Sequence, residues 1–192
     1  MPYMPHKPYK PYKFLILALL LLTACDKAEN EYTSQVCFLV IDNSVHQDPT
    51  LAAAMTPHSN VFVTITTVNK SRAKYFHFQS SQGGTPTESI FNALDNRRAL
   101  TVGMNNGLIV GFNVLDNVFY AFDRECPNCF SYYAIPMKSY PLTIGTDNIA
   151  TCNACSRRYN LNNGGRCEGN GQKLTRYIAQ TPASPYGTLS VR

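Results

Sequence analysis

Val118-Phe119-Tyr120-Ala121-Phe122-Asp123-Arg124-Glu125-Cys126-Pro127-Asn128-Cys129 is the stretch on which the fold and chemistry of this chain turn. Its first half is rich in aromatic and β-branched residues, which suit a pleated, half-buried strand. Its second half sets two thiols three residues apart around a proline, in a loop fed by that strand. After 22 intervening residues the spacing recurs as Cys152-Asn153-Ala154-Cys155. A C-x-x-C turn aims two sulfurs and its own backbone amides at one point, and two such turns close a tetrahedron of thiolates around one ion. The competing use is disulfide bonding, which an oxidising compartment would favour. A bridge within C-x-x-C closes only a tiny loop and removes little unfolded-state entropy, so metal ligation by Cys126, Cys129, Cys152 and Cys155 is the stronger reading.

Outward from this stretch, short apolar runs alternate with turn signals. Leu108 to Phe112, a turn at Asn113 to Asn117, and Val118 to Phe122 predict a hairpin that delivers the chain to Cys126. Val36 to Ile41 and Val61 to Thr67 read as strands, as do Tyr132 to Ile135, Asn148 to Thr151, Arg158 to Leu161, Leu174 to Ala179 and Thr188 to Val191. In Tyr75-Phe76-His77-Phe78 the histidine alternates with aromatics, which places it on the solvent side of a strand. Asp48 and Pro49 ahead of Leu51 to Met55 predict one capped helical turn. Thr85-Pro86-Thr87-Glu88 resembles a capping box and predicts a second short helix over Ser89 to Leu94.

Composition agrees with a mainly β chain. The 192 residues are 44% apolar and 15% charged, enough for one domain with a core and too apolar for disorder. Twelve Pro and eleven Gly punctuate regular structure too often for a helix bundle. The net charge of +5 includes Lys7, Lys10 and Lys13; beyond them fourteen Lys and Arg face twelve Asp and Glu, which is no footprint for nucleic acid.

Those three lysines and His6 precede nine apolar residues, Phe14 to Leu22, too few to span a bilayer. Basic leader, short apolar run and small residues at the junction predict a secretory signal over 1–24. Leu22-Thr23-Ala24-Cys25 resembles the lipobox of bacterial lipoproteins, which implies cleavage after Ala24 and acylation of Cys25. The polar residues that follow read as a tether, with 25–35 linking the lipid to a single domain over 36–192. An acidic stretch so close to the acylated Cys is also similar to the surface-export signal of some Bacteroidetes lipoproteins. The expected location is therefore the cell envelope, lipid-anchored at the periplasmic face or the outer-membrane surface, with the membrane as partner through the N-terminal lipid.

Around the paired cysteines the chain resembles Rieske proteins. Gly107-Leu108-Ile109-Val110 and Val118 to Pro127 look like the strand pair entering the first cluster loop. Ile149-Ala150-Thr151-Cys152-Asn153-Ala154-Cys155-Ser156-Arg157-Arg158-Tyr159 and its sequel to Gly165 look like the second loop, and Leu174-Thr175-Arg176-Tyr177 like the closing strand. The resemblance covers about 107 to 180, with Val36 to Thr67 weaker, and is to the Rieske-like lipoproteins of Bacteroidetes above all. It implies an all-β antiparallel sandwich carrying a small rubredoxin- or zinc-ribbon-like metal-binding subdomain over about 123–170.

The ligand set departs from that family. Rieske loops read C-x-H and C-x-x-H, and the two imidazoles raise the potential of the outer iron. Here Cys155 stands at the second His position, Asn128 at the first, and the extra sulfur follows at Cys129; His46, His58 and His77 lie in neither loop. Four thiolates suit Zn²⁺, a single rubredoxin-type iron or an all-Cys 2Fe-2S cluster. Cluster proteins exported folded need a twin-Arg leader and this leader has no Arg, which favours Zn²⁺. Arg157 and Arg158 stand beside the thiolates, where they offset negative charge, and Phe130, Tyr132, Tyr133, Tyr140 and Tyr159 read as packing that shields the loops. Cys37 and Cys167 are left over: Cys37 reads as a small buried hydrophobe, and Cys167 as a free thiol, an accessory ligand or a disulfide partner for Cys37.

Three function classes follow. A structural or binding module stiffened by zinc comes first, and an electron carrier second. An enzyme comes last, since Gly-x-Ser-x-Gly, His-Glu-x-x-His and a phosphate-cradling glycine loop are all absent from the sequence. Which protein or redox partner it meets does not follow from these residues.

Overall fold

The computed structural model describes residues 31–192. The leader and Cys25 lie outside the described residues. Strand β1 (Leu39–Asp42) leads through α1 (Asn43–His46) and α2 (Pro49–Met55) into a long hairpin, β2 (Phe62–Lys70) and β3 (Ala73–Ser80). Next come β4 (Thr87–Ile90), α3 (Ala93–Arg97) and a second hairpin, β5 (Leu108–Phe112) and β6 (Phe119–Asp123). Four short strands follow: β7 (Leu142–Ile144), β8 (Ile149–Cys152), β9 (Arg158–Asn160) and β10 (Arg166–Cys167). The chain closes with β11 (Ala179–Gln180) and β12 (Thr188–Val191).

The strands form three antiparallel sheets, so the fold is all-β with a few short helices. One sheet has the order β4-β3-β2-β5-β6, one the order β10-β9-β8-β7, and one the order β1-β12-β11. Strand β5 is buried along its whole length, LIVGF, because it lies between β2 and β6 and is covered on both faces. One of those faces packs Val63, Ile65, Phe76, Phe78, Leu108 and Val110 against Leu51 and Met55 of α2 and against Leu39 and Val191 of the terminal sheet. The other face contributes Phe62, Ile109, Tyr120 and Phe122 to a second core, shared with Leu142, Ala150, Tyr159, Leu161 and Leu174. The four-stranded sheet therefore sits on the face of the larger sheet that the first core leaves free.

Local chemistry sets the helices. The Asp48 side chain accepts from the Leu51 amide at 2.8 Å with Pro49 in the first turn, so α2 starts where its cap predicts. The second helix is displaced from its expected position. Residues Thr87 to Ile90 pair with Tyr75 to Phe78 as an edge strand instead, and α3 begins at a different capping box. There the Asn92 side chain accepts from the Leu94 and Asp95 amides while Asp95 accepts from the Asn92 amide at 2.9 Å. β-branched Thr87 and Ile90 gain more from the waiting edge of β3 than from an isolated turn of helix. A buried contact fastens this region to α1: His46 Nε2 lies 3.0 Å from an Asp95 oxygen, and its Nδ1 lies 2.8 Å from Ser89 Oγ.

Two expected strands also differ. Tyr132 to Ile135 is an exposed turn, with Tyr133 80% and Ile135 99% accessible, because no strand edge lies beside it. Leu174 to Ala179 gives only the short β11; ahead of it Arg176 makes a lone bridge to Phe122, and the Tyr177 amide donates to Ala121.

Past Asp123 the line of β6 runs on toward the cysteines. The Leu142 amide donates to the Arg124 carbonyl at 2.8 Å, the Cys126 amide donates to the Tyr140 carbonyl at 3.0 Å, and Glu125 bridges to Pro141. Residues 124–126 thus form a strand edge against the entry to β7, and this shared backbone joins the two sheets.

Candidate metal centre

Strand β7 has one C-x-x-C turn on each side of it. The extension of β6 brings Cys126 against its start, and Leu142 pairs in register with Cys152 of β8, so both leading cysteines arrive at the same end of the same strand. Each then enters a tight turn. The Cys126 carbonyl accepts from the amides of Cys129 (3.1 Å) and Phe130 (2.8 Å). The Cys152 carbonyl accepts from the Ser156 amide at 2.8 Å, and Ser156 takes a left-handed φ of 56° that swings the chain back into β9. These bonds curl each turn so that its second sulfur faces its first.

All four sulfurs lie within 4.8 Å of one another. Across the turns, Cys126 Sγ is 3.8 Å from Cys155 Sγ and Cys152 Sγ is 3.9 Å from Cys129 Sγ. A tetrahedral ion with metal–sulfur bonds of about 2.3 Å requires sulfur–sulfur edges of about 3.8 Å. The donor set therefore fits a thiophilic metal ion, held by Cys126, Cys129, Cys152 and Cys155. Cys126 and Cys152 are buried and the other two half-buried, so the site opens outward on one side while resting on the second core.

The surroundings supply hydrogen bonds to the sulfurs. Tyr159, fully buried on β9, places its hydroxyl 3.2 Å from Cys126 Sγ and accepts from the Asn128 side-chain amide at 2.8 Å. Asn128 also accepts from the Gln172 amide at 3.1 Å, which ties the first turn to the chain beyond β10. Burial pushes the Cys126 thiol up, partly offset by the Tyr159 hydroxyl and the Asn128 backbone amide. Burial and the neighbouring thiols push Cys129 up as well. Burial also opposes ionisation of Cys155, but hydrogen bonds from the Arg157 backbone and side chain and from Cys129 and Cys152 outweigh it and bring this thiol down to about 6. Capture of a metal by these four cysteines would release the protons that their thiols still carry.

Of the residues picked out beforehand, Arg157 contacts Cys155. Arg158 faces away, pairing with Glu168 at 2.7 Å and Asp147 at 3.6 Å. Among the aromatics Tyr159 is a direct neighbour of a sulfur, whereas Tyr132 and Tyr133 are exposed and shield nothing. Asn128 and its bond to Tyr159 were not foreseen; the side chain follows Pro127 inside the motif, and only the fold shows what it meets. Truncating Arg157 to Gln is expected to lower metal affinity about tenfold in competition with a coloured chelator, the usual cost of losing a partner that orients a ligand.

The remaining thiols stand apart. Cys37 is buried in the first core with its Sγ 3.4 Å from the Thr101 carbonyl, and burial pushes it up to about 11. Cys167 is half-buried beside the second core and outside the group of four. No bridge joins these two or any other described cysteines. His77 is half-buried on the face of β3 opposite the first core and pairs with Glu88 at 3.1 Å. No helix among the described residues is long and apolar enough to cross a membrane.

No protein-family model, curated protein or solved structure matches this chain.

Proposed function

We propose that this chain is an envelope lipoprotein, anchored through Cys25, whose β domain is held in shape by one structural zinc ion on Cys126, Cys129, Cys152 and Cys155. The observation that carries the reading is the spacing of the sulfurs, with cross-turn separations of 3.8 and 3.9 Å and all pairs within 4.8 Å. That is the footprint of a single ion, and a 2Fe-2S cluster spreads its two sulfur pairs further because each pair serves a different iron. Zinc supplies no redox chemistry; it supplies folding free energy. The domain is then a binding or display module.

A second reading keeps the Rieske-like kinship and makes the site a rubredoxin-type iron. It is favoured by the organisation of a strand base carrying a small four-stranded metal sheet, and by an opening at Cys129 and Cys155 through which an electron would pass. Elemental analysis and an absorption spectrum of the purified protein separate the two. Zinc predicts a colourless protein with about one zinc per chain. A red or brown protein containing iron, with or without acid-labile sulfide, overturns the zinc assignment. For the anchor, labelled palmitate is expected to enter the wild-type chain and not Cys25→Ser.

A further inference from the structure

On the face of the five-stranded sheet where Phe62 packs into the second core, the next residues along β2 are Thr64 and Thr66, cross-strand from Gln79 and His77 of β3. Here the smaller sheet no longer covers the larger one. Its strand β7, with Thr143, stands opposite instead, and a cleft of about 660 Å³ opens between the two sheets. This is within the size range of small-molecule sites. Its walls combine apolar side chains, Val68, Leu142 and Ile144, with hydroxyls, a side-chain amide and an imidazole, and neither Asp nor Glu lines it. Glu88, the nearest carboxylate by register, is engaged by His77 and by Lys70 at 2.6 Å.

One cation lines the cleft, and the fold makes room for it. The stem of Arg124 lies across Gly107 so closely that a Cβ there would fall 2.8 Å from both Cβ and Cδ of the arginine. Only glycine admits the arm. Its Nε is buried without a hydrogen-bond partner among the described residues, an expensive state for a charged donor. Backbone bonds on either side fix its base, from the Arg124 amide to Gly107 and from the Leu142 amide to Arg124. The stem of the arginine is thus held by the scaffold, and its side chain lines the cleft.

We infer that this cleft binds a carboxylate-bearing polyol of the sugar-acid class. A guanidinium fork matches a planar carboxylate with two parallel hydrogen bonds. The hydroxyls of Thr64, Thr66 and Thr143 both donate and accept, as ligand hydroxyls require, and the Gln79 side-chain oxygen accepts while its nitrogen donates to the Ser80 and Gly84 carbonyls. The inference builds on the structural reading of the metal, since β7 and Arg124 adjoin Cys152 and Cys126, but it holds whichever ion is bound.

The test is titration of the ¹⁵N-labelled, metal-loaded chain with D-glucuronate, D-glucose and acetate as probes. Glucuronate is expected to shift the amides of Thr64, Thr66, Gln79 and Thr143 saturably, and more tightly than glucose or acetate. Arg124→Gln, checked for unchanged spectral dispersion and metal content, is expected to weaken glucuronate about tenfold or more, the loss of a charge-assisted pair. Thr66→Val preserves shape, stands in if the arginine variant does not fold, and is expected to weaken binding a few-fold. Absence of saturable shifts in the cleft, equal binding by acetate, or full affinity in both variants overturns the assignment. Metal content is measured on the same samples, so failure of the cleft and failure of the metal reading are told apart.

Discussion

Stripping the metal with excess chelator is expected to unfold the four-stranded sheet while the hairpins β2–β3 and β5–β6 stay folded. The reason is the size of what the ion organises. Strands β7 and β9 have three residues each, β8 has four and β10 two, and the buried share of the second core from this segment is Leu142, Ala150, Cys152, Tyr159 and Leu161. So small a body does not offset the entropy of ordering its chain, about 1–2 kcal/mol for each backbone residue fixed. Structural zinc in small domains contributes on the order of 10 kcal/mol, enough to decide the outcome. Hydrogen exchange read by mass spectrometry should show protection lost over 142–167 and retained over 62–80 and 108–123. Cys152→Ser should act alike, with bound metal falling close to zero. Retained protection over 142–167 in fully demetallated protein would rule out a structural ion.

Asp123→Ala is expected to destabilise the whole domain by about 3 kcal/mol, because it strands three donors in a buried place. The carboxylate accepts from the Met104 amide at 2.7 Å, the Glu125 amide at 2.7 Å and the Tyr177 hydroxyl at 2.8 Å. It is the point where β6, the loop before β5 and the returning segment at Tyr177 are locked together. Burial raises the Asp123 carboxyl despite these bonds. The sign follows: its acid form is favoured by folding, so its contribution is full below the ordinary carboxylate range and shrinks as pH rises through the raised folded value. The stability gap between wild type and Asp123→Ala should therefore widen on acidification. Urea unfolding of both proteins between neutral pH and pH 4 measures it, and a gap that narrows with acid contradicts the account.

Much of the metal site is written locally, and that is why it is legible. Two C-x-x-C turns declare themselves by spacing, and the hairpin Leu108 to Asp123 declares itself by its apolar run and the turn before it. What escapes is whatever depends on a neighbour distant in the chain. Thr87 to Ile90 carries helix-start chemistry, yet the edge of β3 claims it, and the true capping box lies a few residues later at Asn92 and Asp95. Tyr132 to Ile135 has the composition of a strand but no edge to join. Tyr159 looks like one more packing aromatic until the pairing of Ala150 with Tyr159 swings its hydroxyl under Cys126. Arg124 is unremarkable in sequence beside Glu125 and Cys126, and only the backbone of Gly107 beneath it gives the arginine its place.

The pairing of β1 with β12 has a consequence for timing. Leu39 meets Val191 and Asp42 meets Thr188, so β1 finds its partner only once β12 has been made. Contacts so distant in sequence close late, whereas the turns bearing the sulfurs need only a short segment to meet. The local hairpins and the cysteine turns therefore come together before the terminal sheet, which closes last.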